Sequence, residues 1–291
     1  MDQTRSGGLK RYGLALACLA LAGLLPGASA GRDATLKPEA IVARYDAGLA
    51  SFNLGEFKVV MRFNGSAYDM RAHGKFSVLA GLAFKATGES TSKGTLNAGT
   101  PRPVQYTSKY DGGKKREQRR IEFTNGAVSG VTIVPRKNKR NPRHIPVSSK
   151  QLQGVLDPLT AAFLSVQSSA PAGDTRVCNR TVPVFEGKQR FNIKLSPKGT
   201  AQLGNRAPKG LSRRAAVCRV RYEPVAGHRP DHPGVQYMTK NEDIEAWLVP
   251  VPGTKFVVPY KILVPTAWGT GTVTLKGLTV KHDPQRRAAA P

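Results

Sequence analysis

Along most of this chain, apolar and polar side chains alternate with a period of two, in short runs separated by turn residues. Tyr45, Ala47 and Leu49 alternate first, a polar turn follows at Asn53 with Gly55, and Phe57, Val59, Met61 and Phe63 then alternate against Glu56, Lys58, Val60 and Arg62. Alternation of this kind, rich in β-branched and aromatic residues, predicts strands with one buried face. Asn64-Gly65 is a tight-turn signal, so residues 57–63 and 67–73 read as a hairpin. Residues 78–87 with a kink at Gly81, then 88–97, 104–110, 119–123 and 128–134 continue the series, broken by Asp111-Gly112-Gly113 and Asn125-Gly126. Short repeated hairpins describe an antiparallel meander, because parallel strands need long crossovers.

Residues 135–150 interrupt the pattern with a basic, proline-containing stretch that reads as an exposed loop or a linker. Residues 151–166 follow as the best helix, with Asp157-Pro158 as a start and Leu159, Ala162, Phe163 and Val166 on one face. Strands resume at 181–185, 190–195, 215–224, 244–249, 256–264 and 271–280, and residues 284–291 read as a flexible basic tail. The expectation is a mainly β fold: one curved, partly closed antiparallel sheet, an open barrel or β-spiral, around a single helix near 156–167. The sheet is expected to run continuously across 135–150 and to form one domain over 31–283.

The first thirty residues differ from the rest. Lys10 and Arg11 precede an apolar run from Tyr12 to Leu25, then Pro26 and Ala28-Ser29-Ala30, the order of a cleaved signal peptide. The run is shorter than the ~20 residues that span a bilayer, and a lipoprotein cut before Cys18 would leave only a very short apolar stretch. Export to the bacterial periplasm is therefore expected, with a soluble chain of about 260 residues remaining, enough for one large domain. In an oxidising compartment the two remaining cysteines, Cys178 and Cys218, are expected to form a structural disulfide, since their spacing suits neither a redox pair nor a zinc site.

Charge sharpens the picture. Lys and Arg number 45 against 19 Asp and Glu, a formal charge of +26, which draws in anions and acidic partners at long range. Outside the cytoplasm these are anionic lipid, lipopolysaccharide phosphate, acidic glycan or an acidic envelope protein, with peripheral membrane contact among the outcomes; nucleic acid is not expected. The candidate anion-binding residues are Lys114, Lys115, Arg116, Arg119, Arg120, Arg136, Lys137, Lys139, Arg140 and Arg143, all at or beside predicted turns. Tyr106, Tyr110 and Phe123 flank the first group but fall on core positions by their alternation.

Catalytic chemistry is hard to find. His228 and His232 lie four apart with Asp231 between them, but Gly227, Pro230 and Pro233 argue for an exposed loop over a helical zinc site. His282 reads as a solvated residue. Glu56, Asp69, Glu89 and Glu122 can meet across strands, with ordinary salt bridges as the default. Ser77, Ser129 and Ser165 lie in no nucleophile elbow, and no phosphate or dinucleotide motif appears, so no cofactor, metal or catalytic residue is expected.

Several short motifs stand in a definite order and spacing: Tyr45-Asp46-Ala47-Gly48-Leu49 with Leu54-Gly55-Glu56, Gly94 before Pro103 and Tyr106, Leu156-Asp157-Pro158-Leu159-Thr160-Ala161, Cys178 with Val184-Phe185-Glu186-Gly187-Lys188-Gln189-Arg190-Phe191, Cys218 before Tyr222, and Ile244-Glu245-Ala246-Trp247-Leu248. Over almost the whole chain beyond residue 30, this set resembles the bacterial envelope family called domain of unknown function 3108. The resemblance implies secreted or periplasmic proteins with a curved sheet wrapped partly closed, similar in outline to lipoprotein-carrier folds and to envelope integrity protein B. It carries over no catalytic residue. Together these readings predict a non-enzymatic envelope protein that binds or scaffolds an anionic component or protein partner and supports envelope integrity; the alternative is a periplasmic carrier holding a lipid or other amphiphile in an apolar concavity.

Overall fold

The alternating segments pair edge to edge into one antiparallel sheet of thirteen strands. The structure, a computed structural model, describes residues 38–78, 84–113, 115–135, 142–163, 166–168 and 170–282. The expected signal peptide, Lys114, Arg136, Lys137, Lys139, Arg140, Ser165 and the tail 284–291 lie outside the described residues.

The first meander comprises β1 (Ala40–Leu49), β2 (Phe52–Asn64), β3 (Ala67–Val78), β4 (Phe84–Asn97), β5 (Thr100–Asp111), β6 (Arg116–Thr124) and β7 (Ala127–Val134). The second comprises β8 (Arg180–Phe185), β9 (Arg190–Gln202), β10 (Arg214–Ala226), β11 (Ile244–Pro250), β12 (Val257–Thr266) and β13 (Gly269–Lys281). Turn chemistry explains the short links. Asn125 and Gly126 both take positive φ, 53° and 77°, the left-handed pair that matches the twist of a two-residue hairpin.

The polar turn expected at Asn53 is instead part of β2, and the reversal occurs at Ala50 and Ser51. Asn53 and Gly55 serve a bulge: the Asn53 Oδ1 accepts the Gly55 N–H at 2.7 Å where the β1–β2 register shifts. Gly55 has φ 143°, and a Cβ there would sit 2.1 Å from the Lys75 carbonyl oxygen, so only glycine fits.

Strand order corrects the expected architecture. It runs β7-β6-β5-β4-β3-β2-β1-β13-β12-β11-β10-β9-β8, a linear series whose edges β7 and β8 share no ladder. The sheet is thus open, neither a partly closed barrel nor a spiral. Among the described residues, the connection that follows β7 supplies no closing strand: Gln153 makes an isolated bridge to Ala127 and Leu156 another to Val184, and Gly154 at φ 65° interrupts the extended run between them. One sheet does take in the strands on both sides of 135–150, but not by extension from β7: β8 forms the opposite edge and the two meanders join through β1 and β13.

The helix expectation also changes. α1 covers only Pro158–Phe163, because the residue before a proline disfavours helix and places the start at Asp157. A second helix, α2 (Pro233–Lys240), begins at a proline expected to argue against a helix. Proline is well suited to a first helical turn, and the His232 imidazole Nδ1 caps it by accepting the Gly234 N–H at 3.2 Å. No helix among the described residues is long and apolar enough to cross a membrane.

α1 packs on β3, β4, β8 and β12. Below it Tyr45, Val59, Met61, Met70, Ile121 and Leu275 are fully buried, each side chain of this size contributing about 1.5–3 kcal/mol. Tyr45 stacks on Phe57 with centroids 4.9 Å apart and meets Phe163 edge-on at 5.9 Å. Successive residues of β10 face opposite sides, so Ala215 joins this core while Ala216, Cys218 and Val220 join a second cluster with Leu195, Ile244 and Cys178. In that cluster Cys178 and Cys218 are bridged, with Cα atoms 5.4 Å apart. The bridge ties the segment leading into edge strand β8 across to β10.

Candidate functional site

Antiparallel order assigns every connection to one of two ends of the sheet. The β1–β2, β5–β6, β8–β9 and β12–β13 turns share one end with α2, while the β2–β3, β4–β5, β6–β7 and β11–β12 turns share the other. Lys115 and Arg116, at the β5–β6 turn, are exposed at the first end. Arg143 lies there too, tied to Asp231 in the loop after β10 at 2.8 Å. Both described parts of the predicted basic set therefore sit at one end.

They do not form a bare cationic patch. Arg116 pairs with Asp111 at 3.0 Å and Arg120 with Glu122 at 2.9 Å, both at exposed positions, where such pairs contribute little. Arg119 turns the other way, into a partly buried cluster. Its Nη2 meets Glu117 at 2.6 Å, its Nη1 donates to the Glu186 carbonyl at 3.0 Å and pairs with the Glu186 carboxylate, and Lys188 pairs with Glu117. These groups clasp β6 to the β8–β9 turn. Burial pushes the Glu117 carboxyl up, but the hydrogen bonds and charges of Lys188 and Arg119 together outweigh it and hold it below the ordinary range. Arg119 is thus committed to holding the fold.

A buried polar network lies under α1. Asp157 Oδ1 accepts the N–H groups of Leu159 and Thr160, each at 3.0 Å, and Oδ2 accepts the Ser92 and Thr160 hydroxyls at 2.8 and 2.7 Å. With both hydroxyl protons committed, the Tyr68 hydroxyl donates to Thr160 Oγ1 across 3.1 Å. Desolvation raises the Asp157 pKa, partly offset by these donors. Ser92, Asp157 and Thr160 are all fully inaccessible, so the arrangement caps the helix and locks it to β3 and β4 rather than offering a nucleophile to a substrate.

The remaining candidates disperse. Asp69 pairs with Arg71 and Lys93, Glu89 with His73, and Glu122 with Arg120, so these three carboxylates do not gather, and Glu56 stands opposite Asp46 and Lys75 in the ladders. His228 is not in an exposed loop: it is 6% exposed, and its carbonyl accepts the Ile145 N–H at 3.0 Å. His282 is half-buried, not solvated. No group of three or more metal-ligating side chains occurs among the described residues. Tyr106 and Phe123 are buried as their alternation predicts, whereas Tyr110 is exposed. Two clefts open at the far end, one of about 260 Å³ between Arg102, Gly154 and Arg180 and one of about 370 Å³ lined by Phe63, Leu96, Gln167 and Phe256.

Sequence reasoning missed the aromatic residues of the first end. Trp268, in the β12–β13 turn, is 81% exposed and Phe52, beside the β1–β2 turn, 63%. The two tips touch: the Ala50 N–H donates to the Thr270 carbonyl at 2.9 Å, and a Cβ on Gly269 would fall 2.8 Å from that of Ala50. Tyr237 on α2, also exposed, donates its hydroxyl to the Pro265 carbonyl at 3.0 Å, and Asn241 Nδ2 donates to the same oxygen at 2.9 Å. A signal was present, since Trp268 stands in a turn, where a polar residue is the rule.

Among solved structures, the crystal structure of a beta-barrel-like protein of domain of unknown function DUF1849 from Brucella abortus aligns at 9% identity and a TM-score of 0.47, covering 84% of this chain and 99% of that one. No curated protein matches. Residues 44–276 match the family described as “Protein of unknown function (DUF3108)”, and the chain belongs to that family.

Proposed function

We propose that the protein is an exported bacterial envelope protein that acts without catalysis, binding or scaffolding an anionic envelope component. The observation that carries this reading is the surplus of cations. The formal charge is +26, of which the first thirty residues carry +2 (Arg5, Lys10 and Arg11 against Asp2), so even if every carboxylate beyond them took one cation, 24 cations would be left without a carboxylate. Such a surplus repels itself in the folded chain and is relieved by an anionic partner. Lys115 at the first end is exposed and makes no ion pair among the described residues. The signal-like N-terminus and the Cys178–Cys218 bridge support export, because structural disulfides persist in oxidising compartments.

A carrier with an apolar concavity is less well supported, because Tyr45, Met61, Met70, Phe163 and Leu275 fill the space between the sheet and α1. Neutralising Lys114, Lys115, Arg116, Arg136 and Arg140 together is expected to lower the salt concentration that elutes the protein from a sulfated polysaccharide resin. Unchanged retention at low salt rejects the reading.

A further inference from the structure

The two hairpin tips at the first end have an unusual composition. Leu49-Ala50-Ser51-Phe52-Asn53 and Pro265-Thr266-Ala267-Trp268-Gly269-Thr270 contain no charged residue, in a chain that is 22% charged. Turns are ordinarily where charge and polarity concentrate, so an uncharged, aromatic pair of tips marks a contact surface. Three aromatic side chains are displayed from three separate elements: Phe52 from β2, Trp268 from the β12–β13 turn and Tyr237 from α2.

We infer that this end is a lipid-docking surface, with Phe52 and Trp268 entering the headgroup–acyl boundary of an anionic bilayer and Tyr237 at its rim. The inference rests on the proposed anionic partner and names it as a phospholipid surface. Trp and Tyr are the residues that favour this boundary, their rings apolar and their N–H or O–H groups able to stay hydrated.

The disposition of positive charge fits the same partner. Lys85 and Lys240 are exposed and make no ion pair among the described residues. Lys85 pairs with Ser77 in register, and Phe76 with Gly55, which sets Lys85 about two residues behind Phe52, or roughly 7 Å along the strands. Lys240 precedes Asn241, which is anchored to the base of the Trp268 tip. Interfacial apolar groups sit roughly 5–10 Å deep, so tips at that depth leave both lysines at the level of the phosphates. Phe52 and Trp268 supply apolar burial, and the lysines supply attraction to the anionic lipid.

Trp268 provides its own probe. The chain holds two tryptophans, and Trp247 is fixed by donating its Nε1–H to Glu245 at 2.9 Å beneath Lys261. Purified protein is mixed at low salt with phosphatidylglycerol vesicles, and separately with phosphatidylcholine vesicles. With the anionic vesicles the emission is expected to shift to the blue and to be quenched by brominated acyl chains, and Trp268→Phe removes both changes. Phe52→Ser with Trp268→Ser is expected to weaken partitioning by about a hundredfold, about tenfold for each half-buried aromatic side chain. Circular dichroism of that variant should match the parent, because both side chains are at exposed tips.

Binding to the anionic vesicles with unchanged Trp268 emission, and equally tight binding by the double variant, overturns aromatic docking and leaves the anion-binding reading standing. The same holds for a protein retained by the sulfated polysaccharide that ignores both kinds of vesicle. Failure on polysaccharide and vesicles alike overturns both readings.

Discussion

Replacing Asp157 with alanine is expected to destabilise the protein by about 4 kcal/mol, a figure that follows from the four hydrogen bonds its carboxylate accepts. Loss of the helix cap costs about 1 kcal/mol. The second backbone N–H, buried with no acceptor, adds about 1–2 kcal/mol. Ser92 and Thr160 are 2.8 Å apart and can turn toward each other, so only one hydroxyl is stranded, adding about 1–2 kcal/mol more. Asparagine keeps an oxygen for both N–H groups and presents an amide that the hydroxyls accept from, so Asp157→Asn is expected to cost about 1 kcal/mol. Urea unfolding followed by circular dichroism, with the disulfide intact, measures both. An alanine variant within about 1 kcal/mol of the parent, or equal to the asparagine variant, refutes the reasoning.

The pH dependence supplies a further check. Burial raises the Asp157 pKa in the folded state, so folding favours the protonated form. Its contribution is fullest below the ordinary carboxylate value of about 3.9 and is lost as the pH climbs through the folded value. The asparagine variant lacks this decline, and its deficit relative to the parent should shrink as pH rises through that window.

Two other outcomes follow from the geometry. Reducing the Cys178–Cys218 bridge, which spans 40 residues, is expected to cost about 4 kcal/mol in the chain-entropy description, with amide protection in β8 lost first; an unchanged urea midpoint under reductant contradicts this. Gly94→Ala would place a Cβ 2.2 Å from the Arg102 carbonyl and 2.6 Å from the Tyr68 hydroxyl, costing about 1–3 kcal/mol. Because the clash is with the Tyr68 hydroxyl, its effect should not add to that of Tyr68→Phe in a double-mutant cycle, and simple additivity contradicts that clash.

Strand positions were legible because a half-buried strand writes its pleat directly into the sequence, as in Phe57, Val59 and Met61. Pairing between distant strands leaves no such local trace, and β1 against β13 had to be seen. Where local signals misled, they had a second use. Asn53 and Gly55 build a bulge instead of a turn, and Pro233 opens a helix instead of breaking one. The apolar spacing from 151 to 166 looks helical throughout, but Gly154 and Pro158 hold back the start of α1 to Pro158. Arg119 reads as a free cation because one of its two partners, Glu186, lies 67 residues away and the other, Glu117, shows its pairing only once Lys188 and Glu186 are brought alongside. Trp268 went unread because a single aromatic between two strands resembles strand content until its exposure is known.

The join between β1 and β13 has a consequence for how the molecule assembles. Every other neighbouring pair in the sheet belongs to one meander and can zip from a nearby connection. The seam instead matches Ala40 with Lys281 and Leu49 with Gly271, so the two halves stay unmated until nearly the last strand has emerged. Contacts of such long range carry the largest loop-closure penalty and form slowly. Until then β1 and its neighbours expose an unmatched border. Truncation within β13 would leave two half-sheets facing water along their inner margins, with the sticky edges that recruit aggregation.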